Sequence, residues 1–544
     1  MRTMKAMRRA GWLTGVFTVA AFGMAASGRA ADATTATNSA NPLLDLLIKK
    51  GFVTQKEAET VQAEAEALRT NQMQMPPESK WKISSGIASV ELFGDVKLRY
   101  EDRYAADSAG NSIDLQRYRY AVRLGLRGDL FDNFYYGVRL DTGVNPRSSF
   151  VTMGTSSPGS SVYQGPFGKS NSGINIGEAY LGWRPGNWLD LTVGKMPNPL
   201  YTTPLVWNGN ITPEGFAETL KHTVGQADFF ATMGQFIYQD LSPSSSSANL
   251  GFGSTGQNTD NIFLLAWQGG VKYHFTPGVS AKVAATLYTY VGLHQSTVNS
   301  FSSLSPYYGD PYIGEGAYYL NGSPGYPPGY SGYSTSGTPV GHLPGYGSVN
   351  YPLNQVGLNH LKVVEVPFEV DFPISDFDAK VFGDFAYNLD GEQRAQDAAS
   401  AYQAVQTAQI TPTPIPHTIT AQTSDVKAYL IGFDLGSRGS LGMVSGNASK
   451  RHGWEIKTAW QHIEQYSLDP NLLDTDFFEG QENLEGIYVS AGYGLTDNLS
   501  AVFRYGHASR INGRLGTGGS GQDIPQINPI SDYNIYQLDL ILRF

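Results

Sequence analysis

Arg117, Arg119, Arg123 and Arg127 fall within Gln116–Leu130, QRYRYAVRLGLRGDL. Between them stand Tyr118, Tyr120, Val122, Leu124 and Leu126. A period of two puts these sets on opposite faces of a β-strand. Guanidiniums stay charged at any working pH, so the odd face is a fixed positive row. Lys97, Arg99 and Arg103 in 90–104, and Arg139 in 134–145, fall on the same polar parity. Adjacent strands lie about 4.8 Å apart, so these cations form a ladder. Rows of Arg and Lys along water bias a passage toward anions. Carboxylates share this parity: Glu91, Asp95, Glu101, Asp129 and Asp141 on the same strands, and Glu178, Asp190, Glu365, Glu369, Asp371 and Asp384 on others. Two readings stand side by side. One is a transverse field, basic on one side and acidic on the other. The other is a salt-bridge network that stiffens a wet interior.

Chemistry of the catalytic kind finds less support. The chain has no cysteine and nine histidines, which removes thiolate metal sites, Cys nucleophiles and disulfides. The histidines are scattered, without HExxH or a comparable metal spacing. His462 with Glu464, and His507, have no evident partner set. No catalytic residue, metal or cofactor is expected. The net charge of −10 falls to −15 once Arg2, Lys5, Arg8, Arg9 and Arg29 are set aside with an expected N-terminal signal. That excludes a strongly basic nucleic-acid footprint.

The elements that must position these charges are strands. Sixteen candidates lie near 90–104, 114–130, 134–145, 173–184, 188–196, 213–224, 227–238, 260–275, 279–291, 359–373, 377–389, 424–437, 453–467, 483–495, 499–508 and 533–544. Their connections alternate in length. Short turns include Phe131-Asp132-Asn133, Pro185-Gly186-Asn187, Gly225-Gln226, Thr276-Pro277-Gly278, Ile374-Ser375-Asp376 and Thr496-Asp497-Asn498, mostly rich in turn formers. A seventh, Arg438–His452, is longer. The long connections fall at 105–113, 146–172, 197–212, 239–259, 292–358, 390–423, 468–482 and 509–532. Apolar-out, polar-in strands with short turns at one end and long loops at the other are the pattern of an all-β, transmembrane, antiparallel up-and-down β-barrel. Sixteen strands fit best, with fourteen or eighteen as alternatives, and both termini are expected in the periplasm. The abundance of Gly (62), Tyr (32) and Phe (26) suits turns and aromatic girdles.

Ahead of the barrel, 1–31 reads as a cleaved signal peptide: a basic start, the apolar run Gly11–Ala26 and small residues near Ala30. Residues 32–80 read as a periplasmic helical segment and linker. Asn41, Pro42 and Gly51 bound a first helix, and Thr54 with Glu57 caps a second. The barrel takes 81–544. The chain closes on SDYNIYQLDLILRF, with Tyr536, Leu538, Leu540, Leu542 and Phe544 on one face. This terminal aromatic strand resembles the signal by which the assembly machinery of bacterial outer membranes recognises its barrels.

Three segments carry a wider resemblance. They are GEAYLGWRPGNWLDLTVGKMPNPLYTTPLVWNGNITPEGFA (177–217), KVFGDFAYNLDGEQRA (380–395) and FEGQENLEGIYVSAGYGLTDNLSAVFRYGHAS (478–509). Together they resemble the family of putative porins of Gram-negative outer membranes. That resemblance implies a barrel set among outer-membrane lipid and lipopolysaccharide, conducting small hydrophilic solutes by diffusion, with a homotrimer as the family-like assembly. In sixteen-stranded diffusion porins the loop between the fifth and sixth strands narrows the channel. Here that is 197–212, with Asn198, Tyr201, Thr203, Trp207 and Asn208, no charge, and Pro197, Pro199 and Pro204 to stiffen it. The Gly-, Pro- and Tyr-rich loop 292–358 is a candidate cover for the mouth. The rival reading is a structural or adhesive surface barrel with an occluded lumen.

Overall fold

The computed structural model describes residues 86–106, 112–154, 173–239, 262–291, 360–397, 399, 421–447, 449–513, 515, 517 and 530–544. The signal, the helical segment 32–80 and the loop 292–358 lie outside the described residues.

Among the described residues eighteen strands form one sheet: β1 (Glu91–Ala106), β2 (Ser112–Asp129), β3 (Phe134–Thr142), β4 (Val151–Thr152), β5 (Ile174–Gly186), β6 (Leu189–Lys195), β7 (Glu214–Val224), β8 (Ala227–Gln239), β9 (Ile262–Thr276), β10 (Val279–Val291), β11 (Lys362–Glu365), β12 (Phe368–Ile374), β13 (Phe377–Asn388), β14 (Lys427–Ser437), β15 (Trp454–Ile463), β16 (Leu484–Gly494), β17 (Leu499–Arg510) and β18 (Asp532–Arg543). Every pairing is antiparallel and joins strands that are next or next but one along the chain, except that β1 pairs with both β2 and the last strand, β18. The sheet therefore closes into a barrel without an edge.

Sixteen strands make the wall. The two beyond that number have separate causes. β4 is a two-residue addition to β2. β11 and β12 are halves of one span that pair in turn with β10 and β13. Pro367, which has no N–H, sits in the break. The tight turns use left-handed backbone where they need it, at Asp132 and Asn133 (φ 63° and 65°), Gly225 (61°) and Gly278 (85°).

Burial is inverted relative to a water-soluble sheet. Leu98, Tyr118, Leu124 and Leu540 face outward and are exposed, whereas Asp95, Arg99, Glu101, Arg103 and Arg119 are buried inside. Such an exterior is stable only against an apolar medium.

Candidate functional site

The barrel interior is the site, and strand register assembles it. Asp539 of β18, Arg99 of β1 and Arg119 of β2 lie directly opposite one another in sequence across the strands. Asp95, Arg123 and Asp141 do the same across β1, β2 and β3.

Cations and carboxylates alternate instead of separating. Arg99 makes a two-pronged pair with Asp539, Nε to Oδ1 at 2.7 Å and Nη2 to Oδ2 at 2.9 Å. Glu101 gathers Arg117 at 2.5 Å, Arg103 at 2.9 Å and Arg119 at 3.7 Å. Arg123 donates to Asp95, and Lys97 lies 3.9 Å from that same carboxylate. Arg127 pairs with Glu91 at 2.8 Å where both are exposed. Arg139 bridges Asp141, at 2.7 Å, and Glu178. Asp190 pairs with Arg184 of its own hairpin at 2.7 Å, and Glu369 with Lys380 at 2.7 Å; neither meets the arginine row. Phe150, between β3 and β4, lies under the Arg99 guanidinium at 4.1 Å.

Loop 197–212 crosses the interior. It leaves β6 and is held by residues of β9, β10, β11 and β13. The Tyr201 N–H donates to Gln268 Oε1 at 2.9 Å, and Gln268 Nε2 returns a bond to the Tyr201 carbonyl at 2.8 Å. The Thr202 hydroxyl donates to Glu365 at 2.5 Å and that of Thr203 to Asp384 at 2.6 Å. Lys282 Nζ lies 3.6 Å from the Tyr201 ring centroid. The Asn198 side chain accepts the Leu200 N–H at 3.0 Å. Trp207 is buried, with Phe236 and Tyr288 at 6.1 and 6.2 Å.

A second inward loop spans 464–483 and takes in the whole of the long connection 468–482. On one side Asp476 accepts Arg99 at 2.8 Å and Gln537 at 3.2 Å, while Glu479 pairs with Arg103 and accepts the Tyr533 hydroxyl at 2.8 Å. On the other, Asp469 accepts the Tyr290 hydroxyl, and Asn471 donates to the Tyr238 hydroxyl at 2.8 Å. This loop therefore ties β1 and β18 to β8 and β10. The two loops touch: the Asn208 N–H donates to the Leu472 carbonyl at 2.6 Å, and its side chain to Asp474 at 3.2 Å. Burial and the neighbouring Asp476 push the Asp474 carboxyl up to about 7. Burial also works against Asp476, but Arg99 and Arg103 outweigh it and hold that carboxyl well below the usual range. The signal available in the sequence was the mixture itself. Leu472, Leu473, Phe477 and Phe478 stand among five carboxylates from Asp469 to Glu482, which an external loop has no reason to combine.

The longer turn after β14 also folds inward. Glu455 accepts the Gly442 and Val444 N–H groups at 2.8 Å each, and Arg504 donates to the Val444 carbonyl at 3.0 Å. Val444 packs with Val502 and Ile541. Arg504 also pairs with Asp539, and the buried Arg147 donates to the Pro470 carbonyl at 2.9 Å; none of these three charges is among the expected lining residues. Among the described residues no three His, Cys, Asp or Glu side chains are placed to hold a metal ion.

A family model described as putative porin matches residues 96–307 and 352–544. The chain belongs to this family. It is an outer-membrane porin, and its family and fold are those of a channel rather than an enzyme. No curated protein matches the chain. Among solved structures, OprB of Pseudomonas putida matches with 10% identity over 84% of this chain and 94% of its own, with a TM-score of 0.41. An anion-selective porin from Comamonas acidovorans matches with 10% identity over 84% and 99%, at 0.38. A mutant Rh. blastica porin matches with 7% identity over 84% and 100%, at 0.35.

Proposed function

We propose that small hydrophilic solutes diffuse through the space that loops 197–212 and 464–483 leave inside this porin. The junction of Asn208 with Leu472 and Asp474 sets its width. In this reading Lys97, Arg99, Arg117, Arg119, Arg123, Arg127 and Arg139 line the path together with Asp95, Asp141, Glu178, Asp190, Glu369 and Asp384. The end with short turns faces the periplasm and carries both termini. β18, ending at Phe544, is the segment read by the assembly machinery.

The observation that carries this proposal is the interleaving of charge. An interior of alternating guanidiniums and carboxylates holds water and offers hydrogen bonds in both senses. It imposes little net field, because each cation of the row has a carboxylate within 4 Å. That favours neutral or dipolar solutes over one sign of ion, and favours the salt-bridge network over the transverse field.

Swelling of proteoliposomes in neutral sugars of increasing size tests the proposal. The expected result is a rate that falls steeply with solute size. The occluded barrel has its own supporting observation, the apolar cluster of Leu205, Trp207, Phe236, Leu472 and Phe478. No swelling by correctly folded protein would favour it.

A further inference from the structure

Near the short-turn end of the barrel, the interior wall carries aromatic rings that a purely wet passage does not need. Phe93 of β1, Tyr135 of β3 and Tyr180 of β5 face inward together with Arg127 and Arg184. Their sequence neighbours Leu92, Leu126, Phe134, Leu181 and Trp183 are exposed on the outside. Each ring lies over the glycine it registers with: Phe93 over Gly125, Tyr135 over Gly182 and Tyr180 over Gly137. Each ring fills the space that a Cβ on its glycine would take. Glycine weakens a strand interior and marks a place where something must approach the backbone closely. Here three glycines sink three rings into the wall, where they are half-buried.

Two guanidiniums cover two of the rings. Arg127 lies 4.8 Å over the Phe93 centroid, and Arg184 lies 4.6 Å over that of Tyr135. Tyr180 stands between them. Its centroid is 6.2 Å from that of Tyr135 at 67°, and the Gly137 beneath it registers with Arg127. Among the described residues no cation lies over the Tyr180 ring. Both flanking arginines are charge-compensated. Arg127 holds Glu91, Nε to Oε2 at 2.8 Å and Nη2 to Oε1 at 2.9 Å. Arg184 Nη2 donates to Asp190 Oδ2 at 2.7 Å, and Asp190 also accepts the Tyr135 hydroxyl. Half of each arginine side chain is open to the lumen. The patch lies on the short-turn side of loop 197–212, which leaves the other end of β6.

We propose that this patch is a docking site for a pyranose ring, with Tyr180 as its platform and Arg127 and Arg184 at its two sides. An aromatic face is electronegative, and the flat C–H face of a sugar is its complement. The hydroxyl edge needs donors and acceptors side by side, which an exposed guanidinium–carboxylate pair supplies. Because each pair is neutral as a unit, a simple ion gains little here. An acyclic polyol has the hydroxyls without the flat face. The inference rests on the reading that neutral hydrophilic solutes enter the lumen, and adds a class of solute that the wall holds.

Saturation-transfer NMR on the folded barrel, in micelles of a sugar-free detergent, tests it with maltotriose, mannitol and benzoate as probes. Maltotriose should receive saturation, most strongly at its ring C–H protons, and mannitol and benzoate several-fold less. Tyr180→Leu, which keeps apolar bulk over Gly137, should lower the maltotriose signal several-fold while the unheated barrel keeps its gel mobility. Phe503→Ala, on the exposed outer face, should leave the signal unchanged. Where Tyr180→Leu does not assemble, Arg184→Gln carries the test. A maltotriose signal undiminished by the variant would overturn the proposal, as would mannitol equal to maltotriose. Benzoate exceeding maltotriose would overturn it in favour of a site for planar anions. Swelling of proteoliposomes separates this inference from the reading beneath it. Swelling in sugar without a maltotriose signal would overturn the docking site alone. A maltotriose signal without swelling would support the docking site and overturn the open lumen.

Discussion

Arg103 and Arg127 share the interior parity of neighbouring strands, but their surroundings make them unequal. Arg103 is 1% exposed and is shared by Glu101 and Glu479, which are equally buried. Arg127 and Glu91 are more than half exposed. Removing one partner of a buried ion pair costs about 3–5 kcal/mol, whereas an exposed pair contributes about 0–1 kcal/mol. Arg103→Ala should therefore lower the temperature at which the barrel shifts on an unheated gel far more than Arg127→Ala. Equal shifts would mean that the pairs inside are solvated as freely as those at the rim. Asp474 supplies a pH dependence. A carboxyl near 3.9 in the unfolded chain and about 7 in place favours the protonated form in the folded loop. Its contribution is full below about pH 4 and is lost as pH rises toward 7. Asp476, held low by Arg99 and Arg103, acts in the opposite sense: its contribution is present above the usual carboxylate range and is lost only in stronger acid. Single-channel current should accordingly rise as pH goes from about 4 to 7, as loop 464–483 loosens, and Asp474→Asn should flatten that rise. An unchanged slope in Asp474→Asn would remove the loop from the pH response.

At the scale of elements, the strands were legible in the sequence and the loops were not. All sixteen expected wall segments coincide with observed ones to within a few residues, because one face meets lipid and the other water, and a period of two records that directly. The expected strand 359–373 is broken in two at Pro367, a residue without an N–H, and the effect is local. The paths of loops 197–212 and 464–483 depend on contacts far apart in the chain, such as Arg99 with Asp476 (377 positions) and Thr203 with Asp384 (181 positions). No local period encodes such contacts. The inward course of 197–212 was implied by the resemblance to sixteen-stranded porins, whose loop after the fifth strand narrows the channel, and not by any local period. The connection 468–482 is only one of the long ones by sequence, whereas in the fold its Asp476 and Glu479 are partners of Arg99 and Arg103. Deleting Leu200–Asn208 should raise single-channel conductance. Deleting Asp469–Glu479 should raise it as well, because each loop braces the other at Asn208. Conductance unchanged by either deletion would place the narrowest point elsewhere, and the inward turn held by Glu455 and Arg504 would be the next candidate.

Over the whole molecule, closure and charge compensation go together. A barrel of sixteen wall strands encloses an interior wider than one layer of side chains fills. This one uses two loops and a turn to occupy part of it. The salt-bridge network that anchors those loops also cancels most of the interior field. The overall negative charge acts only over about 8–10 Å in physiological salt, so it weighs less on a passing ion than the wall does. Substituting Arg119, Arg123 and Arg127 together removes three fixed cations and leaves Asp95 and Glu91 without their arginines, and should move the reversal potential toward cation preference, away from a nearly balanced starting value. The most direct test of the account is single-channel recording of the purified, folded barrel in a planar bilayer under a salt gradient. Stable, ohmic steps with a small reversal potential are the predicted result. Silence from protein shown to be folded would contradict it, and would make this porin fold a sealed barrel.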